Sequence, residues 1–284
     1  MLYMKVGVVG NGFVGKATSI LRCDGIHVAA YDINPTMCNP VDTTLESLLD
    51  CDVIFISVPT PMNRDGSCYL GIVESAVQSV KNIGFTGHIV IRSTVPPGTS
   101  TRLGCYFMPE FLTEKNFYED FRNNPDWIFG LLGDIDRDSS FMTAMRELMT
   151  VAKTYGNIKY DNTHFIKNEE AELVKLFRNN FLAVKVAFCN EMYQYCNKAG
   201  INYENVRTLA CEDTRITHSH SKVPGPDGRT GYGGTCFPKD TASLCNIMKT
   251  SGTEPVLIQA AIHRNTTIDR CERDWEDDKG RAVV

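Results

Sequence analysis

Three sets of residues in this 284-residue chain have types and spacings suited to chemistry. The sharpest is Gly231-Tyr232-Gly233-Gly234-Thr235-Cys236-Phe237-Pro238-Lys239-Asp240. Its glycines let backbone come close to a substrate, and Pro238 suits the first turn of a helix. Cys236 then stands at a helix N-terminus, where the dipole lowers a thiol's pKa and favours the nucleophilic thiolate. Asp240, four residues on, can face the same way. The plain alternative, a buried cysteine at a helix start, is opposed by the glycine density and the Lys239-Asp240 pair. The second set is Lys175 and Asn179, a cation and an amide one helical turn apart; by spacing alone the better reading is an ordinary solvated helix face. The third is Gly10-Asn11-Gly12-Phe13-Val14-Gly15, a GxGxxG between a strand pattern and a helix pattern. Its first glycine makes the tight turn, the second admits a pyrophosphate, and the third lets helix and strand pack closely. The helix start offers free N–H groups to the phosphate. Asp32 closes the second strand about 20 residues later, where ribose hydroxyls are read. It would repel a 2′-phosphate, and no arginine follows in Ile33-Asn34, so the expected cofactor is NAD rather than NADP.

The elements that must position these residues follow from periodicity. Short apolar runs at Lys5–Val9, His27–Tyr31, Val53–Val58, His88–Arg92, Cys105–Met108 and Trp127–Leu131 read as strands, several Val/Ile-rich throughout as in parallel strands buried on both faces. Helical spacing falls between them at Gly15–Arg22, Leu70–Lys81 and Ile135–Met149. Thr163–Lys198 lacks Gly and Pro and places Leu173, Leu176, Phe177, Phe181, Val184 and Phe188 three or four apart, which predicts one long amphipathic helix. A helix over Tyr203–Cys211, an irregular loop His218–Gly234, and helices near Thr241–Lys249 and Glu254–Arg273 complete the pattern, and the charged tail from Asp274 is expected to fray. The fold class expected is α/β: an N-terminal Rossmann-type doubly wound parallel sheet over residues 1–158, then a mostly helical catalytic and dimerisation domain with a long central helix over 159–284.

Composition narrows the partners. Apolar residues make up 43% and charged residues 22%, with a net charge of −5 and no Lys/Arg run, so nucleic acid is not expected. Eleven scattered cysteines, never in a CxxC pair, fit neither a disulfide scaffold nor a zinc site, and imply a reducing cytoplasm. His218 and His220 flank Ser219 with no third ligand nearby, so no metal is expected. No apolar run approaches the roughly 18 residues that span a membrane, and the start of the chain has no signal-peptide architecture.

The segment around Cys236 resembles the active-site signature of the UDP-glucose/GDP-mannose dehydrogenase family. Ser93-Thr94-Val95-Pro96, Pro109-Glu110-Phe111-Leu112-Thr113-Glu114 and Ala171-Glu172-Leu173-Val174-Lys175-Leu176-Phe177-Arg178-Asn179 are similar to further motifs of that family, in its order. The resemblance implies four-electron oxidation of a nucleotide sugar's C6 alcohol to the uronate, UDP-glucose to UDP-glucuronate, with two NAD used in succession. It assigns Cys236 to a thiohemiacetal and then a thioester. It gives Lys175 and Asn179 to the alkoxide and oxyanion, Glu110 to the hydrolytic water, and Thr94 and Asp240 to positioning or activating water. It places Thr60, Thr94, Glu114 and Lys239 with Gly10, Gly12, Phe13, Val14, Gly15 and Asp32 at the cofactor. It places Phe111, Leu112, Arg215 and Gly233 with Glu110, Lys175 and Asn179 at the substrate.

Departures from the family pattern set the rival expectations. The family's C-terminal domain, which closes over the uridine diphosphate, is expected to be missing after Val284. The loop His218–Arg229 differs, and Met108 stands where Asn more often precedes Pro-Glu. The substrate is then bound weakly, is smaller, or meets a lid supplied by a partner chain; a homodimer through the long helices is expected by the same resemblance. Other expectations are a GDP-mannose or UDP-N-acetylhexosamine dehydrogenase, a one-step hydroxyacid dehydrogenase, whose Lys-x-x-x-Asn spacing is shared, or a catalytically silent NAD-binding subunit.

Overall fold

A computed structural model describes residues 3–284, which divide into two compact units. The first takes the described residues through Thr60 together with Leu70–Lys175. Its chain runs β1 (Met4–Val9), α1 (Phe13–Thr18), β2 (Ile26–Tyr31), β3 (Val53–Ile56), α2 (Gly71–Asn82), β4 (His88–Ile91), α3 (Thr99–Arg102), β5 (Tyr106–Phe107), α4 (Phe117–Arg122), β6 (Asp126–Leu131), α5 (Ile135–Thr154) and β7 (Asn162–Lys167). The strands form one sheet in the order β2-β1-β3-β4-β5-β6-β7, parallel except for the β5–β6 pair. In β3, Val53 and Phe55 enter one core and Ile54 and Ile56 the other, which is why a half-polar alternation is absent there. Each such fully buried side chain is worth about 1.5–3 kcal/mol over exposure. The order reverses direction at β1 and β3, and the crevice at the carboxyl ends of strands at such a switch point is where ligands bind in open α/β sheets.

Several boundaries differ from the sequence reading. Helix α1 starts at Phe13 and gives way to a tighter turn at Ser19–Leu21. Asn162–Lys167 is a strand, pairing with all six residues of β6, where the absence of Gly and Pro had predicted helix. Thr163, Phe165 and Ile166 are good strand formers, and pairing to β6 decides the matter. Helix α6 (Asn168–Ala199) begins only after it. There Glu170 accepts from the Lys167 N–H at 3.0 Å, and Glu169 and Glu170 suit the positive end of the helix.

The second unit comprises Pro61–Tyr69 and Leu176–Val284. It holds the rest of α6, then α7 (Tyr203–Cys211), α8 (Phe237–Thr250) and α9 (Val256–Arg264). The helix predicted to Arg273 stops at Arg264 and widens into a π-type turn, Asn265–Asp269. The tail does not fray: Trp275 and Ala282 are buried, and Met62 N–H donates to Ala282 C=O at 2.9 Å. Nor does α6 have a single apolar face. Leu176, Ala183 and Ala187 are buried, while Phe177, Phe181 and Phe188 are 65%, 63% and 62% exposed.

Candidate active site

In the first unit, the loop after β1 is built by backbone crowding. Gly10 has φ +89°, and a Cβ there would lie 2.5 Å from Ser57 O. A Cβ on Gly15 would lie 2.1 Å from Gly10 O, so neither position admits a side chain. Gly12 has nothing within 4 Å of a built Cβ, which leaves open backbone for a pyrophosphate. Asp32, at the end of β2, accepts from the N–H groups of Asn11 (2.8 Å) and Asn34 (2.9 Å). Phe13 and Val14 open α1 half-buried, with the Phe13 ring 6.5 Å from that of Phe117. Thr60 is buried and donates through Oγ1 to the Thr94 carbonyl at 2.8 Å, while Ser93 Oγ accepts from the Val58 N–H and donates to its carbonyl. Glu172 holds the following turn by accepting from the Gly98 and Ser100 N–H groups, and burial pushes its carboxyl up to about 7. This cradle, open at Gly12 with Asp32 at the neighbouring strand end, fits a dinucleotide.

The same unit contains a buried ion pair, Lys175 Nζ to Glu110 Oε1 at 2.5 Å, with side chains 4% and 6% exposed. Glu110 Oε2 also accepts the Leu112 N–H at 2.8 Å, and the Phe111 ring centroid lies 6.0 Å from Lys175 Nζ. Burial works to raise the Glu110 pKa. Lys175, the Leu112 N–H and Arg92 outweigh it and hold the carboxyl below its ordinary range. Glu114 is exposed four residues on from Glu110.

In the second unit, Cys236 is the N-cap residue of α8, half-buried, with Thr235 Oγ1 3.8 Å from its Sγ. Pro238 falls in the first turn as predicted. Asp240 accepts from Asn179 Nδ2 and from Lys239 Nζ, each at 2.6 Å, and its backbone carbonyl accepts from Asn180 Nδ2 at 3.1 Å. Burial works to lower the Lys239 pKa; the Asp240 carboxylate and then Cys236 raise it above the ordinary value. An ammonium that stays charged beside a thiol at the start of a helix is a setting that favours a thiolate. Gly233 is half-buried in the loop before it. Arg215, by contrast, is exposed and bound by Asp213 on both carboxylate oxygens, 2.9 Å from Nε and 2.5 Å from Nη2. His218 and His220 are exposed, and among the described residues no cluster of three metal-ligating groups is present. Among the described residues, no helix is long and apolar enough to cross a membrane.

Sequence reasoning missed four residues. Arg92 is 2% exposed, donates to Thr18 Oγ1 at 2.5 Å, and lies 5.5 Å over the Phe121 ring; burial pushes it down to about 10 against the pull of Glu110. Its signal was a cation closing the Ile89-Val90-Ile91 run directly before Ser93-Thr94. Asn180 continues the buried face Leu176, Ala183, Ala187 and was readable only by resolving the two apolar faces of α6. Asn265 and Arg270, both buried, hold the loop before Cys236 from a distance in sequence that no local pattern shows.

Residues 40–153 match the NAD binding domain of the UDP-glucose/GDP-mannose dehydrogenase family, and residues 169–267 match that family's central domain. The UDP-glucose 6-dehydrogenase of Rhizobium meliloti (strain 1021) is 31% identical over 326 aligned positions, covering 99% of this chain and 70% of the relative. That of Rickettsia prowazekii (strain Madrid E) is 33% identical over 228 positions, covering 75% of this chain, which spans only 49% of that relative's length. Among solved structures, a UDP-glucose dehydrogenase from Pyrobaculum islandicum superposes with a TM-score of 0.76 at 26% identity, covering 93% of this chain and 68% of that one. Two successive domain matches and a relative matched along almost the whole chain place it plainly: the chain belongs to the UDP-glucose/GDP-mannose dehydrogenase family.

Proposed function

We propose that this chain carries the redox machinery that oxidises the C6 alcohol of a nucleotide sugar, UDP-glucose, to the carboxylate through a thioester on Cys236. The observation that carries this reading is the place of Cys236 at the N-terminus of α8, with Lys239 charged beside it and Asp240 held by Asn179 and Lys239. NAD, held by Gly10–Gly15 and Asp32, supplies a hydride acceptor for each of the two oxidations. Lys175 stabilises the alkoxide as the alcohol gives its proton to a water held by Asp240, and loss of hydride then leaves the aldehyde. The Cys236 thiolate then adds to the aldehyde carbon, forming a C–S bond, and Asn179 stabilises the oxygen anion of the thiohemiacetal. Loss of a second hydride gives the thioester. Glu110, held as the carboxylate by Lys175, takes a proton from the water that attacks it, releasing the uronate and the Cys236 thiol. Thr94 and Asp240 position that water, and Glu114 lies at the edge of the cofactor site.

The reading is tested by acid-quenching the chain during turnover of UDP-glucose and NAD, then weighing the Cys236 peptide. A hexuronyl-nucleotide adduct on that peptide, absent from Cys236→Ala, is the expected result; turnover by Cys236→Ala at the wild-type rate would refute it. The exposed stripe of Phe177, Phe181 and Phe188 belongs to the same proposal as the face on which a second copy docks, since three open phenylalanines on one helix are an unusual surface for a monomer. Phe181→Asp is expected to convert a dimer to a monomer in analytical ultracentrifugation, and a wild-type chain that sediments as a monomer would remove this part.

A further inference from the structure

The backbone leading to Cys236 is Gly233-Gly234-Thr235, which has little stiffness of its own. What restrains it comes from the turn after α9. In that turn the Arg270 N–H donates to the Asn265 carbonyl at 2.8 Å, five residues back, and the widened geometry presents both side chains to the glycine-rich loop. Asn265, 1% exposed, accepts from the Tyr232 N–H and donates to the Tyr232 carbonyl, each at 2.8 Å. Asn190 Oδ1 accepts the Gly231 N–H at 3.0 Å.

Arg270 acts on the next residue. It is 3% exposed, and Asp274 takes its Nε at 2.7 Å and its Nη2 at 2.6 Å, while Asp227 takes Nη1 at 2.6 Å. A Cβ built on Gly233 would lie 2.5 Å from Arg270 Cζ and 2.6 Å from both Nε and Nη2. These atoms are the centre of a guanidinium tied on three sides, so it cannot swing aside as the end of a free side chain would.

We infer that Arg270 is a positioning residue for Cys236: its guanidinium, locked between Asp227 and Asp274, is the surface on which the Gly233 backbone rests, and residue 233 is glycine to admit it. The loop glycine therefore has a packing reason in a neighbouring side chain, beside the place at the substrate that the resemblance implies. The packing half of the inference stands by itself; the link to chemistry rests on the reading of Cys236 as nucleophile. A nucleophile displaced by 1 Å can cost about 100-fold in rate, so a flexible approach needs such a restraint.

A double-mutant cycle tests the packing. Gly233→Ala is expected to lower the melting temperature by about 4–8 °C in the wild type, and by less than half as much in an Arg270→Ala background. Equal losses in the two backgrounds overturn the inference. If Arg270→Ala does not fold, Asp274→Asn, which loosens the guanidinium without removing it, gives the same cycle. Positioning is read separately with Arg270→Lys, which keeps the charge and loses the planar fork. Alkylation of Cys236 by iodoacetamide, followed by peptide mass, is expected to quicken about fivefold as the loop loosens. In turnover, kcat is expected to fall about 100-fold with the KM for NAD little changed. An unchanged Cys236 alkylation rate overturns the positioning role whether or not the chain oxidises UDP-glucose. A wild-type chain that shows no turnover counts against the proposed function alone, because the thermal cycle and the alkylation rate need no substrate.

Discussion

Gly15, in the first turn of α1, and Gly233, in the loop before α8, both stand in glycine-rich segments next to proposed chemistry, and what crowds them differs. A Cβ on Gly15 would strike Gly10 O, backbone of the loop just before α1, at 2.1 Å; one on Gly233 would strike the guanidinium of Arg270. The first loop is shaped by its own chain and by the neighbouring strand, through Gly10 against Ser57 O and Asp32 beneath Asn11. The second is shaped by side chains from a turn beyond α9, through Asn265 on Tyr232 and Arg270 on Gly233. A loop defined by backbone contacts carries its pattern in its own sequence. A loop defined by distant side chains can carry glycines whose reason is invisible locally.

The largest expected effect separates the two directly. Gly15→Ala should cost more than about 3 kcal/mol, since overpacking against fixed backbone finds no soft partner. Urea denaturation reads it, and a cost no greater than that of Gly233→Ala would erase the distinction. Next, Asn265→Ala should cost about 2–3 kcal/mol, because it strands the buried Tyr232 N–H and carbonyl together. Hydrogen exchange should show the loss of protection at 231–236 and none at 10–15; equal loss in both loops would mean that the second is not held locally by Asn265.

The smallest effect is a pH dependence. Hydrogen bonds from Arg270 hold the Asp274 carboxyl below its usual range, and at Asp227 they outweigh the opposing effect of burial. A depressed folded-state pKa stabilises fully above the unfolded value of about 4 and is lost as pH falls through the folded value. The Arg270 clamp should therefore loosen below about pH 4, so that 225–236 become labile to acid-stable protease first. The first loop also has a carboxylate, Asp32 beneath the Asn11 N–H, but its crowding of Gly10 on Ser57 O and of Gly15 on Gly10 O is backbone on backbone and survives protonation. Simultaneous cleavage in both loops would contradict this.

The same division explains what the sequence made readable. Five of the seven strands matched their apolar runs closely because burial on both faces leaves an unbroken Val/Ile signal, as in β3. Strand β7 was hidden because its Asn-Thr-His-Phe-Ile-Lys run is only half buried and flows into a helix with no Gly or Pro between. The placement of Cys236 at a helix start was foreseen from Pro238, whereas the pairing of Asp240 with Asn179, 61 residues away, had no local signal. Arg270 was not found, since a buried arginine looks like any surface arginine until its partners are placed, and the hint at Arg92 was only the apolar run it closes. The docked tail was missed for a related reason: its charges, Asp274 above all, are consumed in holding Arg270 and Arg229.

A thioester route at Cys236 can be checked by counting NADH against product when the purified chain is given NAD and UDP-glucose. Two NADH are expected for each UDP-glucuronate formed, with no free aldehyde accumulating. One NADH per substrate with the aldehyde as product, or the same count from Cys236→Ala, would contradict it.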